Sequence, residues 1–313
     1  MQANTLFKKT GSIVAGSLVI FAAAAIFGCG GGSSSGTAVT TTQPGTGVTA
    51  PAPVSYIVKK ENFLNAVTYG RNTYVAVGDG GAVKTSQDLK SWTDRTSGVS
   101  AALFAVAFGN NTFVAVGEGG TTLSSPDAAS WSAGNAATTE GLYGVAYGNG
   151  TFVVAGDNGI IMTSPDGVSW TARNSGTTSW LYAVTYGKGI FVAVGGDGAV
   201  LTSPDGVSWT ARTSGTDNWL FGIAYGDNSF VAVGEYGTIA SSPDGVSWTA
   251  GSAGTDSTLM AVVFAGSAFA AVGENGIMLN SADGVTWTEK SSGAASWLYG
   301  VAAGAGAGVA VGI

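Results

Sequence analysis

The sequence predicts an all-β fold: a seven-bladed β-propeller of 39-residue, four-stranded repeats, with an incomplete last blade closed by the N-terminal strand. Two observations predict it. The repeat continues without insertion or deletion, and each unit has the length and the strand pattern of one propeller blade. The repeats start at Leu64, Leu103, Leu142, Leu181, Leu220, Leu259 and Leu298.

Each repeat contains four short runs that favour β-strands. The first two have the forms L-x-A/G-V-x-Y/F-G and F-V-A-V-G, and an acidic-glycine turn follows them. An aliphatic stretch, the segment S-P-D-G-V-S-W-T and a variable polar tail complete the unit. The first two strands are apolar on both faces, as expected where blades stack. Glycine turns at the strand ends exclude a helical solenoid, and a β-helix usually has shorter coils and no recurrent Trp hairpin.

The last repeat is shorter than the others. Residues 298–313 supply only its first two strands. We expect Val54 to Ile57 to form the outer strand of this blade and so close the ring, which removes exposed sheet edges. Either the blade is incomplete, or the sequence is truncated before its third strand.

The N-terminal region predicts a targeting segment over residues 1–29 and a flexible linker over residues 30–52, ahead of the propeller at residues 53–313. Lys8 and Lys9 precede an apolar run that is short for a membrane span. The run ends in I-F-G-C, which resembles a bacterial lipobox and implies lipidation of Cys29, the only cysteine. An ordinary signal peptide is the alternative. The resemblance implies a lipid-anchored protein of the bacterial cell envelope, most simply at the outer membrane.

A serine, an aspartate and a tryptophan recur in the turn after the third strand, as in SPDGVSW at residues 164–170. We predict a structural role for this turn, because Asp accepts backbone hydrogen bonds and Trp packs between sheets. An aspartate that occurs in every unit is a poor candidate for a unique catalytic group. The aspartates are Asp88, Asp127, Asp166, Asp205, Asp244 and Asp283, and the tryptophans are Trp92, Trp131, Trp170, Trp209, Trp248 and Trp287.

This turn resembles the Asp-box of bacterial neuraminidase-type repeats, although it is one residue shorter. Over residues 53–313 the chain is similar to Asp-box propellers, and most to those of the photosystem II assembly factor type and related bacterial lipoproteins. The resemblance implies a propeller. It does not choose a function, because such propellers include sialidases, other glycosidases and non-enzymatic scaffolds.

Composition excludes most common catalytic designs. The chain has no histidine and a single cysteine, so we expect no Ser-His-Asp or Cys-His site, no His or Cys metal site and no cofactor. The net charge of -7 disfavours nucleic acid as a partner. A sialidase would need three converging arginines, whereas Arg95, Arg173 and Arg212 occupy one equivalent position of three repeats and Arg71 lies in a turn. We therefore predict no catalytic residue.

The candidate ligand surface combines acids with unevenly distributed aromatic residues. The acids lie in the turns between the second and third strands, and they are Asp79, Glu118, Asp157, Asp197, Glu235 and Glu274. The aromatic residues precede the first strands on the same predicted face, and they are Phe63, Trp180, Trp219 and Trp297. Ala102, Gly141 and Thr258 occupy the equivalent position in other repeats. The alternative is that the acids only keep the protein soluble and the tryptophans pack beneath the turns.

Two functions fit this pattern. The favoured one is a monomeric, non-catalytic scaffold that binds a protein partner, since exposed Trp and acids suit a partly cationic protein surface. The alternative is a carbohydrate-binding or glycosidase-like propeller, because two carboxylates suffice for glycoside hydrolysis. No pair of acids is distinguished from the others in the sequence, so the glycosidase alternative names no residues.

Overall fold

The computed structural model of the chain describes the strand Val54–Val58 and residues 63–304 and 307–313. These residues form six four-stranded sheets and one three-stranded sheet, which confirms an all-β propeller. The predicted targeting segment with Cys29, and the predicted linker, lie outside the described residues. No helix in the described part of the chain is long and apolar enough to cross a membrane.

The strands follow the repeat. The N-terminal strand is β1 (Val54–Val58). Blade 1 contains β2 (Leu64–Gly70), β3 (Thr73–Gly78), β4 (Val83–Ser86) and β5 (Thr93–Arg95). Blade 2 contains β6 (Leu103–Gly109), β7 (Thr112–Gly117), β8 (Thr122–Ser125) and β9 (Ser132–Ala133). Blade 3 contains β10 (Leu142–Gly148), β11 (Thr151–Gly156), β12 (Ile161–Ser164) and β13 (Thr171–Arg173).

The second half repeats this order. Blade 4 contains β14 (Leu181–Gly187), β15 (Ile190–Gly195), β16 (Ala199–Ser203) and β17 (Thr210–Thr213). Blade 5 contains β18 (Leu220–Gly226), β19 (Ser229–Gly234), β20 (Thr238–Ser242) and β21 (Thr249–Ser252). Blade 6 contains β22 (Leu259–Phe264), β23 (Phe269–Gly273), β24 (Met278–Ser281) and β25 (Thr288–Lys290). The last two strands are β26 (Leu298–Gly304) and β27 (Ala307–Gly312).

The prediction of seven blades with an incomplete last one is wrong, because the described residues form six blades of four strands each. The remaining strands form a three-stranded sheet in the order β1-β27-β26, here called the closing sheet. In it β1 pairs directly with β27 and in parallel, from Val54 opposite Gly308 to Val58 opposite Gly312. The described residues hold no third strand for this sheet. In an antiparallel meander the second and fourth strands run in the same direction. A strand with the direction of a fourth strand that occupies the third position therefore lies parallel to the second strand.

Within each blade the chain forms an antiparallel meander whose first strand lies nearest the axis. The first strands of neighbouring blades pack on one another, for example β10 on β14. In blade 4, Tyr186 lies opposite Phe191, and their ring centroids are 4.7 Å apart. Phe191 and its equivalents in the other blades are fully buried. Replacing such a ring with Ala would cost about 3–5 kcal/mol of unfolding free energy.

Glycine at the end of every first strand except that of blade 6 allows neighbouring blades to approach closely. A Cβ atom on Gly187 would lie 2.1 Å from Cγ of Tyr225 in the next blade. The Y/F-G ending of the first strand therefore places an aromatic ring of one blade against the bare backbone of the blade before it. At the ring junction, the hydroxyl of Tyr74 in blade 1 contacts the carbonyl oxygens of Gly304 and Ala307 in the closing sheet.

Candidate ligand-binding site

Two sets of loops meet on one face of the propeller. One set is the turns between second and third strands, and the other is the residues that precede each first strand. Backbone hydrogen bonds join them: the N–H of Gly196 donates to the carbonyl of Trp180 over 2.8 Å, and that of Glu235 to the carbonyl of Trp219 over 3.0 Å. We call this surface the acidic face. The structure thus places the predicted acids and the predicted aromatic residues side by side.

Most of the acids contact the chain's own backbone. The carboxylates of Asp157, Glu235 and Glu274 accept hydrogen bonds from the N–H groups of Gly141, Trp219 and Thr258, at 2.9, 3.2 and 3.2 Å. Glu118 accepts from Ala102 over 3.4 Å, and Asp79 accepts from the Asn65 side chain over 2.9 Å. Each of these five acids therefore holds the entry of the first strand of its own blade.

Asp197 departs from this arrangement. In blade 4 the position of the other acids is taken by Gly196, and Asp197 follows it at a φ of 55° with an exposed side chain. A Cβ atom on Gly196 would already contact the indole of Trp219, at 3.7 Å from Cε2. The turn of blade 4 therefore lies next to the Trp219 ring, and its carboxylate stands one residue later than in the other blades.

A row of large side chains lies at the inner start of the first strands. In every first strand the pairing register shifts just after the leading leucine, as between Leu181 and Ala183, which marks a β-bulge. The bulged residues are Asn65, Phe104, Tyr143, Tyr182, Phe221, Met260 and Tyr299. Centroid distances are 5.7 Å between Tyr143 and Tyr182 and 5.2 Å between Tyr182 and Phe221. Neighbouring blades therefore share a continuous aromatic layer.

Two predicted tryptophans extend this layer to the surface. Trp180 is 43% exposed and lies 6.2 Å from Tyr143 and 6.4 Å from Tyr182, measured between centroids. Trp219 lies 5.6 Å from Tyr182 and 6.3 Å from Phe221. We call these five residues on blades 3 to 5 the aromatic patch.

The other predicted aromatic residues lie outside the patch. Trp297 stacks on Tyr299 at 6.1 Å, and Phe63 is 51% exposed next to blade 1. Trp297 and Trp219 pack against one buried cluster, formed by Tyr182, Phe221, Met260 and Tyr299, whereas Phe63 is not part of it.

The two tyrosines of the patch lie in an environment that disfavours their ionisation. Burial raises the pKa of Tyr143 above its ordinary value, and a hydrogen bond to Asp157 raises it further. Burial also raises the pKa of Tyr182, as do Tyr143 and the carboxylates of Asp157, Glu235 and Asp197. Tyr182 is only 3% exposed, and its hydroxyl has no hydrogen-bond partner among the described residues. The Oδ1 atom of Asp157 is also buried without a hydrogen-bond partner among the described residues.

The acidic face carries no opposing charge in the described residues of its two loop sets, which contain neither Lys nor Arg. The acids of these loops are Asp79, Glu118, Glu140, Asp157, Asp197, Asp217, Glu235, Asp256 and Glu274. Such a surface attracts cationic groups and repels anionic ones. The described loops of this face therefore carry charge of one sign, whereas its tryptophans precede the first strands of blades 4 and 5 and of the closing sheet only.

The three equivalent arginines do not converge on any site. The Nε atoms of Arg95, Arg173 and Arg212 each donate to a threonine hydroxyl on the third strand of their own blade, over 2.9 Å. Arg71 donates to the carbonyl of Pro126, in the Asp-containing turn of the next blade. The arrangement lacks the arginine cluster that a sialidase would require. No group of three or more His, Cys, Asp or Glu in the described part of the chain is placed to hold a metal ion.

The opposite face carries the Asp-containing turns, and we call it the Asp-turn face. In blade 4 the Oδ1 atom of Asp205 accepts from the N–H groups of Val207 and Ser208 over 2.8 and 2.9 Å, while the Ser203 hydroxyl accepts from the Gly206 N–H over 2.8 Å. All six aspartates make the corresponding bonds. Such bonds lower the pKa of Asp283 to about 2. This geometry is that of a turn-stabilising group.

Sequence reasoning missed the tyrosines of the patch and also Tyr236. Tyr143, Tyr182 and Phe221 recur directly after the leading leucine of the repeat, and this recurrence could have identified them. The alternation of side chains along a strand does not predict that residues at this position meet between blades. Tyr236 is 54% exposed on the acidic face and has a φ of 53°, where other blades have Gly, Asn or Asp. A bulky residue at positive φ is an unusual and strained choice.

Comparison with known proteins supports a β-propeller relationship. Residues 100–218 match the family described as "DUF6242 beta propeller domain". No curated protein matches the sequence. The fold is similar to that of YCF48 from Cyanidioschyzon merolae, with a TM-score of 0.61 and 18% identity, covering 78% of this chain and 90% of that one.

Two further solved structures are similar. A structure of YCF48 bound to D1 peptide has a TM-score of 0.58 at 20% identity, covering 78% of this chain and 88% of that one. The computationally designed Ika8 protein has a TM-score of 0.59 at 16% identity, covering 80% and 81%. At these identities the likeness concerns the fold.

Proposed function

We propose that this propeller is a non-catalytic scaffold that binds a protein partner through the aromatic patch and the surrounding acidic face. The observation that carries the proposal is the exposed Trp180, which is one of five packed aromatic side chains centred on Tyr182, an arrangement not repeated in blades 1, 2 and 6. Exposed aromatic residues supply much of the binding energy at protein interfaces, because they bury a large area with little loss of conformational entropy. The partner presents a basic segment, which complements a face of acids.

The comparisons support a protein ligand without identifying it. A propeller of similar fold, YCF48, is described as bound to D1 peptide. The repeated parts of the present chain make hydrogen bonds within their own turns, whereas the patch differs between blades. A unique partner surface requires such a departure from symmetry.

We also propose that Cys29 carries lipid and tethers the propeller, through residues 30–52, to the bacterial cell envelope, most simply at the outer membrane. The lipobox-like I-F-G-C motif supports this proposal. Replacing Cys29 with Ser should release the protein from the membrane fraction. Unchanged retention would contradict the lipid anchor.

Site-specific photo-cross-linking tests the binding surface. A benzophenone amino acid at position 180 should capture a discrete protein partner in native cells, whereas the same amino acid at position 207 should not. Val207 is the matched control because it is 42% exposed, as Trp180 is 43% exposed, but lies on the Asp-turn face. Equal capture at both positions, or none at position 180, would contradict the proposed surface.

Purified variants separate protein binding from carbohydrate binding. The full chain and the Trp180→Ala, Trp219→Ala double variant should be compared on a peptide library and on a glycan array, with Val207→Ala, Val246→Ala as the control. Loss of peptide binding in the tryptophan variant alone supports the proposal. Specific glycan binding that depends on the same tryptophans would instead favour the carbohydrate-binding alternative.

A further inference from the structure

We propose that a cleft between blades 1 and 2 on the Asp-turn face binds a neutral sugar ring. The cleft lies on the opposite face from the aromatic patch, so its ligand is independent of the proposed protein partner. We call it the interblade cleft. The lining residues that carry the proposal are Gln87, Asp88, Ser91, Thr93, Arg95 and Asp127.

The interblade cleft has walls from two blades and a volume of about 380 Å3. Small-molecule sites have volumes of about 300–1,000 Å3. In blade 1, Thr85 pairs with Thr93, so their side chains share one face of the sheet, and Arg95 follows on the same face two residues later. Blade 2 contributes Asp127 from its Asp-containing turn. Arg71 of blade 1 donates to the carbonyl just before Asp127 over 3.1 Å, which joins this wall to the first.

The cleft presents a donor and acceptors that the fold already holds in place. The Nε atom of Arg95 donates to the Thr85 hydroxyl over 2.9 Å, whereas no hydrogen bond among the described residues uses its terminal nitrogens. The Oδ1 atoms of Asp88 and Asp127 each accept from two backbone N–H groups of their own turns. Their Oδ2 atoms accept no hydrogen bond within the described part of the chain. A ligand therefore meets charged groups that need little further ordering.

The charges of the lining favour a neutral ligand with many hydroxyls. Backbone hydrogen bonds hold the pKa values of Asp88 and Asp127 below their ordinary value, so both are ionised at neutral pH. An anionic ligand would meet two carboxylates, and a cationic ligand would meet a guanidinium. Sugar hydroxyls can donate to the carboxylates and accept from Arg95, and such charge-assisted bonds are strong. The hydroxyls of Ser91 and Thr93 can serve either purpose.

Blade 1 departs from the repeat at this cleft. Gln87 lines it at the position where blades 2 to 5 carry proline, and its amide adds both donors and an acceptor. At the next interface Gly134 takes the position of Arg95, and the Asn135 N–H donates to the Val168 carbonyl of blade 3 over 2.9 Å. A backbone contact therefore joins blades 2 and 3 next to the position at which an arginine lines the interblade cleft.

The test uses the full chain with glucose, galactose and mannose, and with the amino sugar and the uronic acid of each. The two analogues keep the ring and add one charge of either sign, so they separate recognition of hydroxyls from recognition of charge. Binding is followed through the backbone amide signals of residues 91–95 and 127–130 in NMR spectra. We expect at least one hexose to shift these signals and to bind about fivefold more tightly than its charged analogues.

Two threonine variants decide whether the cleft is the binding site. Thr93→Val keeps the shape of the side chain and removes a hydroxyl of the lining, so it should weaken hexose binding about fivefold. Thr249→Val makes the same change in blade 5, where Gly251 stands in place of arginine, and should change binding less than about twofold. Arg95→Gln removes the guanidinium and should weaken binding more than about tenfold.

Three results would each overturn the inference. They are no shift with any of the three hexoses, a charged analogue that binds as tightly as its hexose, and equal losses in the two threonine variants. The Trp180→Ala, Trp219→Ala double variant should bind hexose as the wild type does, and loss of binding there would place the sugar at the aromatic patch instead. Failure of capture at position 180 would contradict the protein-binding surface, while hexose shifts at residues 91–95 would still support the interblade cleft.

Discussion

Aspartate and tryptophan occur on both faces of the propeller, but they have different roles on the two faces. On the Asp-turn face, six aspartates make the same bonds to the backbone in six blades, and each is followed by a tryptophan. On the acidic face, tryptophan occurs in some blades only, and one aspartate, Asp197, is displaced from the position of the others. Uniform repetition indicates stabilisation of the fold, whereas local departure from it indicates a surface shaped for a ligand.

The largest expected difference is between one tryptophan of each face. Trp209 packs against the apolar core between blades, and its indole donates to the Gly206 carbonyl over 2.9 Å. Trp209→Ala should therefore lower the free energy of unfolding by about 3 kcal/mol. Trp180→Ala should cost less than about 1 kcal/mol because the ring is exposed, but should abolish partner binding. Urea denaturation and cross-linking measure the two effects, and a reversed order would contradict the division between the faces.

Acid should destabilise the fold through the Asp-turn face. Backbone hydrogen bonds lower the pKa of Asp283 from 3.8 to about 2, and they lower the pKa values of the five equivalent aspartates. A carboxylate with a lowered pKa in the folded state stabilises that state above the unfolded pKa and loses this effect as the pH falls through the folded value.

The melting temperature should therefore fall as the pH decreases from above 3.8 to about 2. The variant Asp283→Asn should weaken this dependence. A melting temperature that stays constant over this range would show that the aspartates contribute little.

Tyr236 offers a test of the acidic face through the backbone. Its φ of 53° suits glycine, which occupies the equivalent position in blades 1 and 2. Tyr236→Gly should raise the free energy of unfolding by about 1 kcal/mol, since positive φ is unfavourable for a bulky residue. If Tyr236 belongs to the partner surface, the same variant should bind more weakly. Gly80→Tyr is the matched reverse change in blade 1, and it should destabilise the protein without altering binding.

The smallest expected effect concerns the buried hydroxyl beneath the patch. Tyr182→Phe removes a hydroxyl that has no partner among the described residues and keeps the ring that contacts Tyr143, Trp219 and Phe221. The free energy of unfolding should stay within about 1 kcal/mol of the wild-type value, on the side of greater stability. A loss greater than this, measured by urea denaturation, would mean that the hydroxyl is satisfied in solution.

Much of the propeller was predictable because its information is local and repeated. The β-branched runs and glycine turns predicted the four strands of each blade, and the recurrence of Asp205 and its equivalents predicted a turn device. The acids and tryptophans of the acidic face were also predicted to share a face, since alternate hairpin turns lie at the same end of a sheet. The grouping within that face was not predictable, because it depends on which bulged side chains meet between blades.

The sequence by itself determined the structure of a blade. Its 39-residue period sets the size of the unit, and its apolar runs set the lengths of the strands. The side chains of its turns form hydrogen bonds with the backbone of the same turn. Only the tertiary structure decided the number of four-stranded blades, the parallel pairing of β1 with β27, and the packing of Tyr143 and Tyr182 against Trp180. The physical reason is the separation along the sequence between the residues that interact. A turn is stabilised by residues two or three positions apart, whereas the closure of a ring and the meeting of side chains across its blades depend on how every blade packs on its neighbours.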